Sequence, residues 1–217
     1  MTCIAAIRTT DSIIMGGDSA FSSASICKVG ASPKVFIVDD YIFGVSGPVR
    51  VLQQLRYKFN PPCKTQGANW PEFMATVFIG AIEKQLDIFN NDFAALVGTK
   101  GGGIFHLDRG FGISQFRDGF DACGCGSSFA LGVLHSSDGN PRERVQAALE
   151  AAAYFDSLVR PPFTILELPE EGLIERLPGT FEPFEDRSAL FASDPDDQGN
   201  NDADLHTSDD QRGFGLP

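Results

Sequence analysis

Thr2-Cys-Ile-Ala-Ala-Ile-Arg8 is followed, after three polar residues, by Ser12-Ile-Ile-Met-Gly-Gly17, and these two stretches decide the fold. Both are apolar and contain β-branched residues, which is the pattern of two strands joined by a short turn. A second pair of strand-like stretches follows at 34–38 and 41–46. The sequence therefore predicts two β-hairpins before any helix begins.

The rest of the chain alternates between pairs of helices and pairs of strands. Helical spacing of apolar residues predicts helices at 47–59, 70–89, 129–135 and 141–155, and apolar stretches predict strands at 93–98, 103–107, 163–168 and 173–176. Residues 116–122 contain several polar residues, so no strand is predicted there. Because each helix pair needs a sheet face to cover its apolar side, the order predicts an α+β protein. We expect a four-layer αββα sandwich with two antiparallel sheets between two helix layers.

The acidic residues of this chain are concentrated near its C-terminus. The 217 residues are 42% hydrophobic and carry a net charge of −12, and ten of the 29 acidic residues lie within 181–217. That segment has two basic residues and a net charge of −8, which leaves −4 for residues 1–180. We therefore predict one folded domain over 1–180 and a disordered acidic tail over 181–217.

Composition argues against several classes of protein. No apolar run approaches the roughly 18 residues of a membrane span, and the start of the chain lacks the pattern of a secretory signal. Five cysteines without a disulfide-type spacing indicate free thiols and a cytoplasmic location. No basic patch suggests nucleic acid. Cys123-Gly-Cys125 lacks a second pair of metal ligands, and Phe129 interrupts the nearest dinucleotide-like glycine pattern, so we expect neither a metal nor an organic cofactor.

Three residues near the start of the chain could form a nucleophilic site. Met1 precedes a small residue, and its removal would make Thr2 the N-terminal residue. A threonine with a free α-amine carries a nucleophile and a base together, and the amine has a reference pKa of about 7.7–8.0. Asp18 follows Thr2 by 16 residues, and Lys34 follows Asp18 by the same interval. Alone, Asp18 reads as a turn residue and Lys34 as a solvated charge; together with Thr2 they suggest a catalytic set.

This spacing resembles that of the proteasome β-subunit family and its HslV-type peptidases, which are N-terminal nucleophile hydrolases. In that family a Thr, an Asp and a Lys occur at these intervals and in these strand contexts. The segment Gly44-Val-Ser-Gly47 resembles the family's Gly-x-Ala-Gly, and Gly124-Cys-Gly-Ser127 resembles its Gly-Ser-Gly-Ser. The resemblance covers about residues 2–180.

The resemblance implies a threonine-type peptidase in which Thr2 attacks the peptide carbonyl. A lysine beside the threonine hydroxyl would favour the developing alkoxide and lower the pKa of the neighbouring amine, which assigns that role to Lys34. Asp18 would keep the lysine charged and fix its rotamer. The backbone N–H of Gly47 would hold the oxyanion, where the absence of a Cβ allows close approach.

Supporting roles are also implied by the resemblance. Ser127 and Asp156 would support the α-amine and the water molecule. Val45 and Ser46 would bind substrate, with Val45 lining a small-to-medium apolar specificity pocket. Cys125 stands where the family has a serine, and we expect it only to pack.

The resemblance further implies a homo-oligomeric ring or double ring that encloses the sites. Helices 47–59 and 70–89 would form the subunit contacts, and an AAA+ unfoldase is a plausible partner that delivers unfolded protein. Two other interpretations remain open. The chain could be a non-catalytic ring subunit or scaffold, which retention of Met1 would favour, or a small-molecule amidohydrolase of the same superfamily.

Overall fold

A computed structural model of the chain describes residues 2–23, 26–88 and 91–169. The strands are β1 (Cys3–Arg8), β2 (Ser12–Gly17), β3 (Ala20–Ser23), β4 (Ile26–Val29), β5 (Val35–Val38), β6 (Tyr41–Ser46), β7 (Ala94–Thr99), β8 (Gly103–Leu107), β9 (Ile113–Ser114), β10 (Phe120–Gly124) and β11 (Thr164–Pro169). The helices are α1 (Val49–Tyr57), α2 (Trp70–Phe73), α3 (Ile79–Gln85), α4 (Ser127–Ser136) and α5 (Pro141–Phe155).

The strands form two larger sheets and a separate hairpin. The first sheet has the order β10–β1–β2–β11, the second has the order β5–β6–β7–β8–β9, and β3 pairs with β4. Every strand pair within the described residues is antiparallel. The predicted hairpins β1–β2 and β5–β6 are confirmed, and the chain has the expected α+β composition.

Strand β1 is buried on both faces. Cys3, Ala5 and Ile7 pack in one hydrophobic cluster with residues of α4 and α5. Ile4 and Ala6 point the other way, into a second cluster that includes residues of both large sheets. Because side chains alternate along a strand, burial on both faces requires the nearly continuous apolar run seen in the sequence.

The second sheet also packs on two sides. Phe43 of β6 lies in a third cluster with Leu55 of α1 and Phe78 of the helical segment 70–85. The neighbouring residue Ile42 faces the first sheet, in the same cluster as Ile4. The molecule therefore has one helix–sheet core on each large sheet and a core between the two sheets.

Three strand regions were not predicted, and one of them is the two-residue strand β9, which pairs with β8. The hairpin β3–β4 lies between Asp18 and Lys34, in a serine-containing stretch without an obvious apolar pattern. The expectation that no strand lies within 116–122 is wrong, because β10 begins at Phe120. Asp121 is tolerated in β10 because its carboxylate contacts Nδ1 of His106 at 2.7 Å.

The predicted helix at 70–89 is shorter and less regular than expected. A π-helical turn, Met74–Phe78, separates α2 from α3, and the helical segment ends at Gln85 because Leu86 has extended backbone angles. Helix α1 begins at Val49, after Pro48. The predicted strand 173–176 and the acidic tail 181–217 lie outside the described residues. Among the described helices, none has the length and apolarity needed to cross a bilayer.

Candidate active site

Thr2 lies at the start of β1, between β2 and β10. Strand β10 pairs Gly124 with Cys3, and the N–H of Gly126 donates a hydrogen bond to the carbonyl oxygen of Thr2 at 3.3 Å. Gly124 has a φ of +94°, and a Cβ at this position would collide with the Thr2 carbonyl. A glycine is therefore required where β10 passes the candidate nucleophile.

Lys34 reaches the Thr2 hydroxyl from the start of β5. Its ammonium donates to Oγ1 of Thr2 at 3.0 Å and to Oδ1 of Asp18 at 2.9 Å. The Lys34 side chain is 3% exposed and that of Asp18 is fully buried. Lys34 therefore contacts both of the other residues that the sequence places in the candidate catalytic set.

Asp18 is held by backbone donors as well as by Lys34. The N–H of Cys3 donates to Oδ1 at 2.9 Å, and the N–H groups of Ala20 and Arg160 donate to Oδ2 at 2.8 and 3.4 Å. A buried ion pair is tolerated when additional hydrogen bonds replace lost hydration. These contacts fix the carboxylate and therefore fix the position of the ammonium beside Thr2.

Burial and charge act in opposite directions on Lys34. Burial lowers the pKa of Lys34 below its ordinary value of 10.5, while the charge of Asp18 and its hydrogen bond act to raise it. The effect of burial is the larger one, because a charged group loses hydration inside the protein. The ammonium is therefore more easily deprotonated than that of a free lysine.

Cys125 contacts the backbone of Thr2 on both sides. The N–H of Thr2 donates to Sγ at 3.3 Å, and the thiol donates to the carbonyl oxygen of Thr2 at 3.4 Å. Burial, followed by a hydrogen bond with Asp156, raises the pKa of this thiol. The expectation that Cys125 only packs is wrong. The signal for its position was available, because Cys125 replaces a serine of the motif.

Asp156 acts on Cys125, since it is among the groups that raise the pKa of this thiol. It follows the last residue of α5, and its Oδ1 accepts the N–H of Leu158 at 2.9 Å, which fixes the carboxylate. Ser127 begins α4 directly after Gly126 and is half-buried. Asp156 therefore influences the thiol that contacts Thr2, and Ser127 lies one residue beyond Gly126, whose N–H contacts Thr2.

The end of β6 presents its side chains to opposite sides. Ser46 faces the first sheet, since its Oγ lies 2.9 Å from the point that a Cβ on Gly124 would occupy. Val45 is 2% exposed and packs in the helix-facing core of the second sheet. This placement brings Ser46 towards Thr2 and does not bring Val45 to a surface pocket.

Gly47 follows β6 with a φ of +142°, and a Cβ there would lie 2.7 Å from Cβ of Phe93. Its backbone is exposed at the same end of β6 as Ser46. The conformation requires glycine, which is the residue type expected for a backbone that approaches substrate.

The arrangement supplies a hydroxyl, a buried cation that touches it, and fixed groups around the nitrogen of the same residue. Such a set suits nucleophilic attack by the hydroxyl, with the cation stabilising the alkoxide. Within residues 2–23, 26–88 and 91–169, no group of three or more His, Cys, Asp or Glu side chains is placed to hold a metal ion.

Sequence comparisons find no relative: no family model matches the chain, and no curated protein matches it significantly. Comparison of structures gives a clear result. BPH of Thiobacillus denitrificans, in a complex with epoxomicin, matches with a TM-score of 0.63 at 17% identity, over 78% of this chain and 100% of its own.

Two further solved structures are similar. Eukaryotic HslV from Trypanosoma brucei has a TM-score of 0.60 at 18% identity, over 77% of this chain and 99% of its own. Anbu, an ancestral β-subunit from Yersinia bercovieri, has a TM-score of 0.55 at 13% identity, over 77% and 81%. At these identities the likeness concerns the fold. The chain has the fold of proteasome-type subunits, which confirms at that level the resemblance found in the sequence.

Proposed function

We propose that this chain with a proteasome-type fold is a threonine-type peptidase that hydrolyses peptide bonds with Thr2. One observation carries the proposal: the buried ammonium of Lys34 lies 3.0 Å from Oγ1 of Thr2 and 2.9 Å from the carboxylate of Asp18. A buried cation is costly unless a paired charge and hydrogen bonds replace its hydration. Here the Asp18 carboxylate pairs with the cation, and the cation is directed at a hydroxyl.

The proposed reaction begins with removal of Met1. An amide nitrogen is not basic, so Thr2 needs a free α-amine before it has a general base. The amine then accepts the hydroxyl proton through a water molecule, and Oγ1 attacks the carbonyl carbon. Lys34 stabilises the alkoxide as it forms. The peptide C–N bond then breaks, the leaving amine takes the proton held by the α-amine of Thr2, and an acyl-enzyme ester remains. A second water molecule, deprotonated by the same α-amine, attacks the ester, so that the carboxylic acid product leaves and the Thr2 hydroxyl regains its proton.

The groups around Thr2 have proposed supporting roles. Gly47 donates its N–H to the oxyanion, a contribution of about 10²–10³-fold in rate for one donor. Cys125 and Asp156 hold the amine end of Thr2, and Ser127 orders the water molecule nearby. Ser46, rather than the buried Val45, faces the substrate.

The proposed architecture is the full αββα sandwich, with helices outside both sheets. The three hydrophobic cores support this order of layers, since each large sheet packs on helices with one face and on the other sheet with the opposite face. No cofactor is needed for this chemistry. The five free thiols support a cytoplasmic location.

A homo-oligomeric ring is the proposed assembly, with an AAA+ unfoldase as the proposed partner for unfolded substrates. Exposed apolar side chains support association, because large exposed apolar groups mark contact surfaces. Tyr57 of α1 and Val77 of the helical segment 70–85 are exposed, on the two helices predicted to form subunit contacts. Tyr154 and Phe155, at the end of α5, are 84% and 65% exposed and form a second apolar surface.

Two substitutions at one position test the proposal. Thr2→Ala removes the hydroxyl and is expected to abolish peptide cleavage while the assembly state, measured by light scattering, is unchanged. Thr2→Ser keeps a hydroxyl and is expected to retain measurable cleavage and covalent reaction with an epoxyketone. Undiminished cleavage by the alanine variant would refute the proposal. A fully assembled wild-type protein that keeps Met1 and never cleaves would instead favour the scaffold interpretation.

A further inference from the structure

We propose that Ser19 is a positioning residue of the Thr2 site, because its hydroxyl fastens the connector between α5 and β11 beside the Asp18 carboxylate. The connector consists of residues 156–163. The inference rests on the proposed function, since it assigns to Ser19 a part in that reaction. Ser19 acts through Asp18 and needs no contact with the substrate.

Ser19 binds the connector at two points. Its N–H donates to the carbonyl oxygen of Arg160 at 3.0 Å, and its hydroxyl donates to the carbonyl oxygen of Pro162 at 2.5 Å. Ser19 is 5% exposed, so water has little access to either hydrogen bond. A buried group that loses such a partner is left without a replacement. The two bonds therefore hold residues 160–162 just beyond the end of β2.

The connector meets the Asp18 carboxylate at the same place. The N–H of Arg160 donates to Oδ2 of Asp18 at 3.4 Å, while Oδ1 of the same carboxylate accepts from Lys34 at 2.9 Å. A hydrogen bond of 3.4 Å is weak, so it depends on other contacts to keep the connector in place. Ser19 supplies those contacts on both sides of Arg160. The orientation of the carboxylate, and with it the position of the ammonium, therefore depends on Ser19.

The connector also packs on the opposite side of Thr2. Val159 is buried, and a Cβ on Gly126 would lie 3.1 Å from its Cγ2. The N–H of Gly126 donates to the carbonyl oxygen of Thr2. At the start of the connector, Asp156 acts after burial as a second cause of the raised pKa of the Cys125 thiol. The connector therefore bears on both sides of Thr2, and Ser19 fastens its other end.

The size of the expected effect follows from the bonds that remain in Ser19→Ala. A displacement of about 1 Å in a reacting group can slow an enzyme about 10²-fold. The alanine variant keeps the N–H of residue 19, and with it the bond to the carbonyl oxygen of Arg160. The connector is then loosened rather than released. We expect the chemical step to slow about ten-fold, the scale of one lost hydrogen bond.

Labelling of Thr2 by an epoxyketone is measured on the mature protein over a range of reagent concentrations. This gives a maximal rate and the concentration at which half of that rate is reached. Ser19→Ala is expected to lower the maximal rate about ten-fold and to change the half-saturating concentration by less than about two-fold. The reason is that Ser46 and Gly47, the groups proposed to face the reagent, lie at the end of β6.

Ser12 provides a matched control at the opposite end of β2. It is 4% exposed, and its hydroxyl lies 3.3 Å from that of Thr9. Ser12→Ala removes a buried hydroxyl and is expected to leave both labelling parameters unchanged. A loss seen in Ser19→Ala and not in Ser12→Ala therefore does not come from general destabilisation.

Two further variants keep a donor at position 19. Ser19→Thr retains the hydroxyl and is expected to lose no more than about three-fold of the maximal rate. Ser19→Cys has a weaker donor, so its maximal rate is expected to lie between those of the parent and the alanine variant. The cysteine variant fills the space of the serine, and it carries the same test if circular dichroism shows that Ser19→Ala is unfolded.

The outcomes separate this inference from the proposed function. Mature parent protein whose Thr2 takes no label would overturn the proposed function and the inference with it. A labelled parent, with folded Ser19→Ala reaching the same maximal rate as Ser12→Ala, would overturn the inference alone. Equal losses in Ser19→Thr and Ser19→Ala would also overturn it, since the effect would then not follow the hydroxyl.

Discussion

Replacement of Lys34 by methionine removes the buried charge from the site while keeping a side chain of similar length. The ammonium donates to Oγ1 of Thr2 at 3.0 Å and to Oδ1 of Asp18 at 2.9 Å, and both contacts are lost in Lys34→Met. A full negative charge on Oγ1 of Thr2, at 3.0 Å from the ammonium, is stabilised by about 5 kcal/mol when the effective dielectric constant is about 20. If the hydroxyl oxygen carries about half a negative charge in the transition state, the ammonium stabilises that state by about 3 kcal/mol. Loss of this stabilisation in Lys34→Met would slow the reaction about 10²-fold.

The assay for Lys34→Met is the second-order rate at which an epoxyketone labels Thr2, followed by intact mass. The same variant is expected to be less stable by about 3–5 kcal/mol, because Asp18 stays buried without its cation. Labelling is therefore measured at a temperature at which circular dichroism shows a folded protein. Lys34→Arg retains a positive charge and is expected to lose less of the labelling rate than the methionine variant.

Lys100 provides a matched control for the loss of a lysine. It pairs with Asp40 at 3.0 Å near the surface, where the lysine side chain is 28% exposed and the aspartate side chain 65% exposed. Exposed pairs contribute about 0–1 kcal/mol, so Lys100→Met is expected to leave both stability and labelling close to those of the parent. The loss of charge is expected to slow labelling about 10²-fold. The reasoning would be refuted if folded Lys34→Met were labelled at a rate within about three-fold of the parent's rate.

Three further predictions concern pH, backbone conformation and the core. Burial lowers the pKa of Lys34 below 10.5, so labelling of Thr2 is expected to decline on the alkaline side at a pH below that value, and a decline that begins above it would contradict this. Between the lowered pKa and 10.5, Lys34 is more protonated in the unfolded chain than in the folded one. Its contribution to the free energy of unfolding therefore rises with pH in this range, which denaturant titration can measure. Gly47 has a φ of +142°, and an added Cβ would collide with Phe93, so Gly47→Ala is expected to lower the free energy of unfolding by about 1–3 kcal/mol. A thermal midpoint equal to the parent's would argue against this strain. Phe43 lies in the buried aromatic cluster, so Phe43→Ala is expected to lower the free energy of unfolding, measured by chemical denaturation, by about 3–5 kcal/mol. Phe116 is exposed, and Phe116→Ala is expected to lower it by less than about 0.5 kcal/mol. Equal losses in the two variants would contradict the assigned core.

The sequence was sufficient for elements whose pattern is local. Strands β1 and β2 are short apolar runs bounded by polar turn residues, and α5 begins at Pro141 after Asn140, which accepts hydrogen bonds at the helix start. These signals lie within a few residues of one another and do not depend on the rest of the fold. The contact of Thr2, Asp18 and Lys34 was predicted from spacing together with a family resemblance.

The parts that were missed depend on contacts between distant residues. Strand β10 contains Asp121, and nothing near it in sequence shows that His106 will pair with the carboxylate. Val45 looked suitable for an apolar pocket, but alternation along β6 turns it into the helix-facing core. Cys125 was expected only to pack, although it lies in a glycine segment that resembles a family motif, and the pairing of β10 with β1 brings it to the backbone of Thr2.

The helix ends show the same limit on a smaller scale. The apolar residues continue past Gln85 and suggested a helix to residue 89. The chain instead becomes extended at Leu86, and the side chain of Ile88 still packs in the same core. An apolar residue can enter the core either as part of a helix or as part of the loop that follows it. Helical spacing alone does not distinguish these two cases.

Mass mapping of the mature protein after reaction with an epoxyketone tests the central claim most directly. The account predicts a peptide that begins with Thr2, without Met1, and that carries one molecule of the reagent on this residue. A chain that keeps Met1 and remains unlabelled, or a label found on any other residue, would contradict it.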